Sequence, residues 1–565
     1  MRKNELVGSR KRCKVCIGIK ISCDFFIFVI YCIYKIIFSK IKQKDDNMKF
    51  TKTLLVLILS LVLALSACTQ RSEPVEYGDG QPDTSAPEAS ELECSGHTDE
   101  NADDLCDECG GSVLVVIDFY TINDLHGKLE DSGSQPGVDE LTSYLKNAKK
   151  TDDHAILLSS GDMWQGSAES NMTKGQIITD WMNELDFSAM AIGNHEFDWG
   201  EEYVKNNAQS AKFPFLAINI YDRDTNERVE YASASVMIER GGAKIGIIGA
   251  IGDCYSSISP DKVEDIYFKS GTALTKLVKE ESDRLRAAGA DFIVYSIHDG
   301  SESSKATVTN ISGNELSSYY DIELSNGYVD LVFEGHTHQR YVAHDRYGVY
   351  HMQNGGENKG ISHAEVAINY ANDTFSVKNA EFVTAARYLG LEDDPLIDEL
   401  LAKYADEIAD ANRVVGVNPS YKSSDALCDL AAQAYFEVGF ERWGDKYNIA
   451  LGGGFFQARN PYNLSAGEVT YGQLQSIFPF DNQLVLCSIQ GKYLSSKFFN
   501  TSNSNYHIYY GDYGAGIKNS IDPNATYYVV VDTYTSSYAP NRLTVVDYYD
   551  EGVFARDLLA EYFAG

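Results

Sequence analysis

Between residues 114 and 340 the chain repeats one arrangement, which limits its fold more than any other feature. Apolar runs of strand length carry no polar alternation: LVVIDFYTI (114–122), AILLSSG (155–161), FSAMAIG (187–193), FPFLAINI (213–220), KIGIIGAIG (244–252), DFIVYSIH (291–298) and VDLVFEGH (329–336). Strands of that kind are covered on both faces, as in parallel sheets flanked by helices. Amphipathic stretches such as KGQIITDWMNEL and GTALTKLVKEESDRLRAAG lie between them. The expected fold class is therefore α/β.

Five of these runs end in residues able to bind a cation or move a proton. Asp124 and His126 follow the first in NDLHG, Asp162 the second in SGDMWQGS, Asn194 and His195 the third in GNHEFD. His298 closes SIHDG, and His336 and His338 lie in EGHTHQ. In α/β sheets, ligands bind outside the carboxyl ends of strands, where loops converge side chains without breaking the ladder. One such ending is an ordinary turn or helix cap. Five in succession predict a shared polar site. A carboxylate can bridge two ions with its two oxygens, and Asp162 is the expected bridge, with imidazoles and one amide completing the sets. The donors suit zinc, manganese, iron or cobalt alike. Two such ions ~3.5–4 Å apart make hydroxide available near neutral pH and clamp the oxygens of a phosphate ester.

These motifs, NDLHG, GDMWQGS, GNHEFD, SIHDG and GHTHQ, in this order resemble the calcineurin-like metallophosphoesterases, and the order of domains is similar to that of the 5'-nucleotidase family. The resemblance implies a four-layer β-sandwich flanked by helices, followed by a smaller α+β substrate-binding domain. It implies one ion on Asp124, His126, Asp162 and His338, and a second on Asp162, Asn194, His298 and His336. It further implies that His195 stabilises the transition state or leaving oxygen while Asp198 orients its ring, with Glu196 in a supporting place. In the C-terminal part, GEVTYGQLQSIFPFDNQLVLCSIQG (467–491) matches the family's substrate domain, which implies that Phe480 stacks on a nucleobase. Other positions depart from the family. Leu451-Gly452-Gly453-Gly454-Phe455-Phe456 stands where the family has Asn-Gly-Gly-Gly-Ile-Arg, leaving Arg459 as the nearest substitute. Ser423, beside Lys422, stands where the family has an arginine. DTYTSSYAPNRL replaces the late aromatic loop, so that Tyr534 or Tyr538 would supply a second ring. The implied activity is hydrolysis of a small phosphate ester, first a 5'-nucleotide, with a cyclic nucleotide, a UDP-sugar or a non-nucleotide phosphoester as alternatives. A surface ligand-binding protein is the rival from another class.

The N-terminal part reads differently. Met48-Lys-Phe-Thr-Lys followed by TLLVLILSLVLALSAC has the basic start, apolar run and small-residue exit of a secretory signal. Leu65-Ser66-Ala67-Cys68 resembles a lipobox, which predicts a lipid anchor on Cys68 and an extracytoplasmic lipoprotein of the bacterial membrane. A transmembrane helix is the alternative. Residues 1–47 are expected to precede the true start at Met48, with a span near 21–38 as the alternative. Residues 48–68 are then the signal and 69–92 a solvated linker. Residues 93–111 form a small knuckle in which Cys94, His97, Cys106 and Cys109 have the spacing of a structural zinc site. Asp99, Asn101 and Asp103 alternate there as in a calcium loop, which keeps a second ion in view. The first domain is expected over 112–390, a linker helix over 391–412 with Ile397, Leu400, Leu401, Tyr404 and Ile408 on one face, and the substrate domain over 413–565. Domain rotation is expected about residues 393–412. A net charge of −34 argues against a nucleic-acid polymer as partner, and the scattered cysteines outside the knuckle and leader argue against a disulfide framework.

Overall fold

The computed structural model describes residues 97–131, 136–300, 326–345, 347–455, 463–500, 502, 505–538, 542–550 and 552–564. Residues 1–47, the signal with Cys68, the linker at 69–92, Cys94 and Arg459 lie outside them. Among the described residues, no helix is long and apolar enough to cross a membrane.

Two six-stranded sheets form the first domain. One runs Thr374–Thr384, Gly360–Asn369, Leu114–Ile122, Ile156–Ser159, Ala189–Ala191, Phe215–Leu216. The other runs Arg340–His344, Tyr350–Asn354, Leu331–Phe333, Phe292–His298, Ala243–Ile251, Ser235–Arg240. The inner strands pair in parallel, and antiparallel strands close every edge except that of the first sheet at Phe215–Leu216, which pairs in parallel. The apolar runs divide their residues between two cores, as the two-residue period of a strand requires. From Leu114–Ile122, Val115, Ile117 and Phe119 pack between the sheets with Phe292, Val294 and Phe333. Ile122 faces the opposite side, against the helices Asp139–Thr151 and Gln176–Glu184. From Phe292–His298, Ile293, Tyr295 and Ile297 pack on the helix Thr272–Ala287 through Leu274, Val278 and Leu285. The layers are helix, sheet, sheet, helix, the four-layer sandwich expected. Each fully buried Phe or Leu contributes roughly 1.5–3 kcal/mol, so the inter-sheet core is the main stabiliser of the strands that end at the site.

One run differs from its expectation. FPFLAINI is two short pieces, Phe215–Leu216 in the first sheet and Ile220–Asp222 in a separate two-stranded sheet with Ile266–Phe268. Asn219 is fully buried between them and donates to the Ile251 and Lys269 carbonyls at 2.6 and 2.9 Å. A buried amide must be satisfied, and turning it to those carbonyls breaks the strand.

Leu396–Lys403 is a helix whose Leu396, Ile397 and Leu400 join the core beneath the helices Asp139–Thr151 and Gln176–Glu184, as does Tyr404 just beyond it. The C-terminal domain has a five-stranded sheet, ordered Tyr506–Tyr509, Ile449–Phe455, Thr526–Asp532, Leu484–Gln490, Leu543–Tyr548. The helix Ser424–Trp443 lies against it. A capping box of Thr470 and Gln473 starts the helix Tyr471–Ile477 and sets the position of the turn that carries Phe480.

Candidate active site

Backbone bonds bring the strand-end loops to one place. Asp124 N–H donates to Gly161 O at 2.9 Å, His126 N–H to Asp162 O at 3.1 Å and Gly127 N–H to Met163 O at 2.8 Å. From the other sheet, His336 N–H donates to Asp124 Oδ2 at 2.9 Å. Glu196 is wholly buried and accepts from Asp162, Met163 and Gly193 N–H at 2.9, 2.8 and 2.7 Å, tying the second loop to the third. Burial, followed by the nearby Asp162 carboxylate, pushes the Glu196 carboxyl up to about 7.

These loops are strained. Asp124, His126, Asp162, His336 and His338 all have left-handed φ, between 51 and 69°. Such backbone costs on the order of 1 kcal/mol per residue and persists where surrounding structure enforces it. At Gly193 a Cβ would lie 2.3 Å from Asp162 Oδ1, so only glycine lets the third loop approach that carboxylate.

The side chains of the seven predicted ligands converge. Ligand-capable atoms of Asp124, His126 and His338 lie within 4.8 Å of one another, as do those of Asp124, Asp162 and His298. His336 Nδ1 is 2.9 Å from Asn194 Oδ1. His126 Nδ1 sits on the Gln165 carbonyl at 2.8 Å and His298 Nδ1 on the Ser160 carbonyl at 2.6 Å, which aims each Nε2 inward. His126 Nε2 meets His338 Nε2 at 3.1 Å. Two imidazole nitrogens so placed need a proton or a cation between them.

The charges agree with that need. Burial alone would raise the carboxyls of Asp124 and Asp162, but the surrounding imidazoles outweigh it and hold both below the usual range. Burial would likewise lower His298, yet Asp162, 3.0 Å from its Nε2, and Asp124 outweigh it and push it up to about 10. A pocket that draws a proton so strongly equally draws divalent cations. The donor set of carboxylates, imidazoles and one amide fits them.

His195 and Asp198 stand together. His195 Nδ1 is 2.7 Å from Asp198 Oδ2, and His195 Nε2 is 4.0 Å from Asp162 Oδ2. Cys254, which the sequence did not single out, lies within 4.8 Å of ligand-capable atoms of His298 and His336. Burial, then the carboxylates of Asp299, Asp162 and Asp124, keep its thiol protonated, and it donates to the His298 carbonyl at 2.9 Å.

From the C-terminal domain, Phe480 reaches this cluster, its ring centroid 5.9 Å from that of His195. Tyr534 and Tyr538 lie on the helix Thr533–Tyr538. Ser423 caps the helix Ser424–Trp443 by accepting from Ala426 N–H at 3.3 Å. The glycine triplet is a packing device: a Cβ on Gly452 would meet Phe436 N at 2.3 Å, and one on Gly454 would meet Thr535 Oγ1 at 2.4 Å. The sequence also gave no signal for the charged group beside Phe480. Asp481 takes Lys174 of the first domain at 3.2 Å and Arg556 on its other oxygen, while Arg556 also donates to the Phe480 carbonyl at 3.0 Å. Elsewhere, three of the predicted knuckle residues, His97, Cys106 and Cys109, come together.

Comparison with known proteins matches residues 117–340 to the family model for calcineurin-like phosphoesterases and residues 405–539 to that for the 5'-nucleotidase C-terminal domain. The chain is 26% identical to an apyrase of Tabanus yao over 69% of its own length and 74% of the relative's. It is 25% identical to the protein UshA of Yersinia enterocolitica over 77% of its length and 87% of the relative's. Among solved structures, a 5'-nucleotidase precursor from Thermus thermophilus has the same fold, with a TM-score of 0.59 at 18% identity, covering 80% of this chain and 96% of the other.

Proposed function

The chain belongs to the 5'-nucleotidase family of phosphoester hydrolases, a calcineurin-like phosphoesterase domain joined to a 5'-nucleotidase C-terminal domain, and from that premise we propose that it hydrolyses a small phosphate monoester, first a 5'-nucleotide, at a two-metal centre. The observation that carries this reading is the convergence of Asp124, His126, Asp162, Asn194, His298, His336 and His338 beside the His195–Asp198 pair.

Asp124, His126, Asp162 and His338 would hold one divalent ion, and Asp162, Asn194, His298 and His336 the other. Bound there, the ions would supply a nucleophile from water near neutral pH and neutralise charge on the phosphoryl oxygens. The rest is the work of the chain. Asp198 fixes Nδ1 of His195, so Nε2 faces the cluster and can donate to charge developing on a phosphoryl or leaving oxygen. Glu196 holds two ligand loops in register through three backbone N–H groups. Phe480 offers a ring face beside His195 for a flat base. With Ser423 serving as a helix cap and the glycine triplet consumed by packing, base stacking rather than an arginine clamp would set substrate preference. The signal-like segment and Cys68 support an extracytoplasmic lipoprotein.

Phosphate release measured across AMP, 2',3'-cyclic nucleotides, UDP-glucose and simple sugar phosphates, with and without chelator, tests the proposal. AMP should lead, and chelation should abolish turnover reversibly. Release that is absent with every substrate in the presence of manganese, cobalt or zinc would refute it and return the surface binding protein to first place.

A further inference from the structure

We propose that His97, Cys106 and Cys109 hold a structural zinc ion, separate from the catalytic cluster, that pins the entry of the strand Leu114–Ile122 to the body of the protein. The ligand atoms of all three lie within 4.8 Å of one another, with Cys109 Sγ 3.8 Å from His97 Nδ1. The loop around them is built as a metal knuckle is built. Cys106 is buried, its N–H donates to Gly111 O at 2.8 Å, and Gly110 N–H returns to Cys106 O at 2.8 Å with Gly110 in the left-handed region at φ 70°. Asp107 N–H donates to Thr98 O at 2.8 Å, which joins the His97 end of the loop to the Cys106 end. Two sulfurs and an imidazole select zinc over the ions that oxygen donors prefer. By sequence a further thiol, Cys94, stands three residues before His97.

The Asp and Asn side chains of the same loop bond its own backbone. Asp99 accepts from Asp103 and Asp104 N–H at 3.0 and 3.1 Å, Asn101 from Asp103 N–H at 2.9 Å, and Asp103 from Leu105 N–H at 3.0 Å. These hydrogen bonds shape the loop that presents the two sulfurs and the imidazole, the ligand set brought together here.

The knuckle is bound to the catalytic domain at one spot. Asn369, the last residue of the strand Gly360–Asn369, donates to Asp99 Oδ2 at 2.6 Å and to Asp104 Oδ1 at 3.2 Å. Tyr370 packs edge-on to the His97 ring, centroids 5.6 Å apart at 83°, and its hydroxyl donates to Ser112 O at 3.1 Å. Val113 N–H donates to Asp104 O at 3.0 Å. One residue later the strand Leu114–Ile122 begins, with Leu114 opposite Asn369. Asp124 and His126 follow the far end of that strand. A filled knuckle would therefore hold both the start of the strand and its antiparallel neighbour.

The test uses the full-length chain loaded with cobalt(II), which absorbs by thiolate-to-metal charge transfer only where sulfur is a ligand. Wild type should show that band and should protect two thiols from a colorimetric thiol reagent until the metal is stripped. C106S and C109S should each lose the band, while C254S keeps it. Metal-loaded C106S and C109S, which keep the catalytic ligands, should unfold several degrees below metal-loaded wild type, and the difference should vanish once all three proteins are stripped. A wild-type protein with no charge-transfer band, a band that survives C106S or C109S, or one lost in C254S would overturn the site. Loaded C106S and C109S that unfold at the wild-type temperature would overturn the pinning role.

Discussion

At the scale of single residues the critical group is Asp162, which is buried, touches His298 at 3.0 Å, and receives the His195 N–H at 2.8 Å on its other oxygen. Asp162→Asn removes a charge and a bridging oxygen from a pocket crowded with imidazoles. By elemental analysis it should lower the metal held at the catalytic cluster from two ions to one or none, leaving the knuckle ion in place, with activity at background. His195→Ala touches neither proposed ion. It should keep full metal content and lower kcat by roughly 10²–10⁴-fold with KM little changed, as loss of a positioned proton donor does. An H195A protein that has lost the catalytic ions would make His195 a ligand instead. The residues in these predictions were legible in the sequence because their chemistry sits at the ends of apolar runs, where carboxylates and imidazoles have no packing role. Glu196 was legible only as a supporting residue, since its three partners are backbone N–H groups with no residue signature. Cys254 sits beside the ligands at the end of a run, and a lone thiol in a sequence says nothing of its neighbours.

At the scale of elements, the loop carrying His336 and His338 rests on a buried ionic group made by three neighbouring strands. Glu334 follows Leu331–Phe333, Tyr341 lies on Arg340–His344, and His351 on Tyr350–Asn354. The Tyr341 hydroxyl donates to Glu334, and His351 lies 2.8 Å from Glu334 and 3.5 Å from Asp345, the imidazole and both carboxylates fully buried. Burial by itself would lower His351, but Asp345 and Glu334 outweigh it and push it up to about 9. A folded-state value raised above the usual imidazole value of about 6.5 gives stability that is complete below that pH and disappears as pH rises through 9. His351→Gln should therefore cost on the order of 3 kcal/mol at pH 6, by the shift of about 1.4 kcal/mol per unit. Chemical denaturation followed from pH 6 to 10 should show the gap between variant and wild type closing with rising pH, and a gap constant across that range would exclude a charged His351. The strands on the seven apolar runs were readable, except where Asn219 breaks one. Arg340–His344, Tyr350–Asn354 and the edge strand Ser235–Arg240 were not, because each mixes polar and apolar residues.

At the scale of the whole molecule, the two domains meet at Phe480 and at the charged group beside it. Lys174, on the first domain, reaches Asp481 on the second, and Arg556 takes the other oxygen of the same carboxylate. Burial alone would raise Asp481, but Arg556 and Lys174 outweigh it and hold its carboxyl below the usual range, whereas burial lowers Lys174. Arg556 also binds the Phe480 carbonyl at 3.0 Å, so the ion pair and the ring over His195 are one mechanical unit. Within the second domain Arg556–Asp481 supports the turn, and across the domains Lys174–Asp481 is the clasp. Removing Lys174 leaves the turn intact and weakens only the clasp, which separates the two roles. Lys174→Gln should raise KM for AMP by about tenfold, the effect of roughly 1.4 kcal/mol, with a smaller change in kcat and no change in the low activity toward a simple aryl phosphate that needs no base contact. Phe480→Ala should raise KM for AMP by a similar factor, since stacking on one base is worth about 1–3 kcal/mol. Fluorescent labels placed one on each domain should report a longer mean separation in K174Q than in wild type before substrate is added, and a wild-type separation that changes with AMP if rotation about residues 393–412 accompanies turnover. Equal separations in the two proteins, together with equal KM values, would mean that Lys174–Asp481 is a passive contact and that Phe480 holds its place over His195 without it.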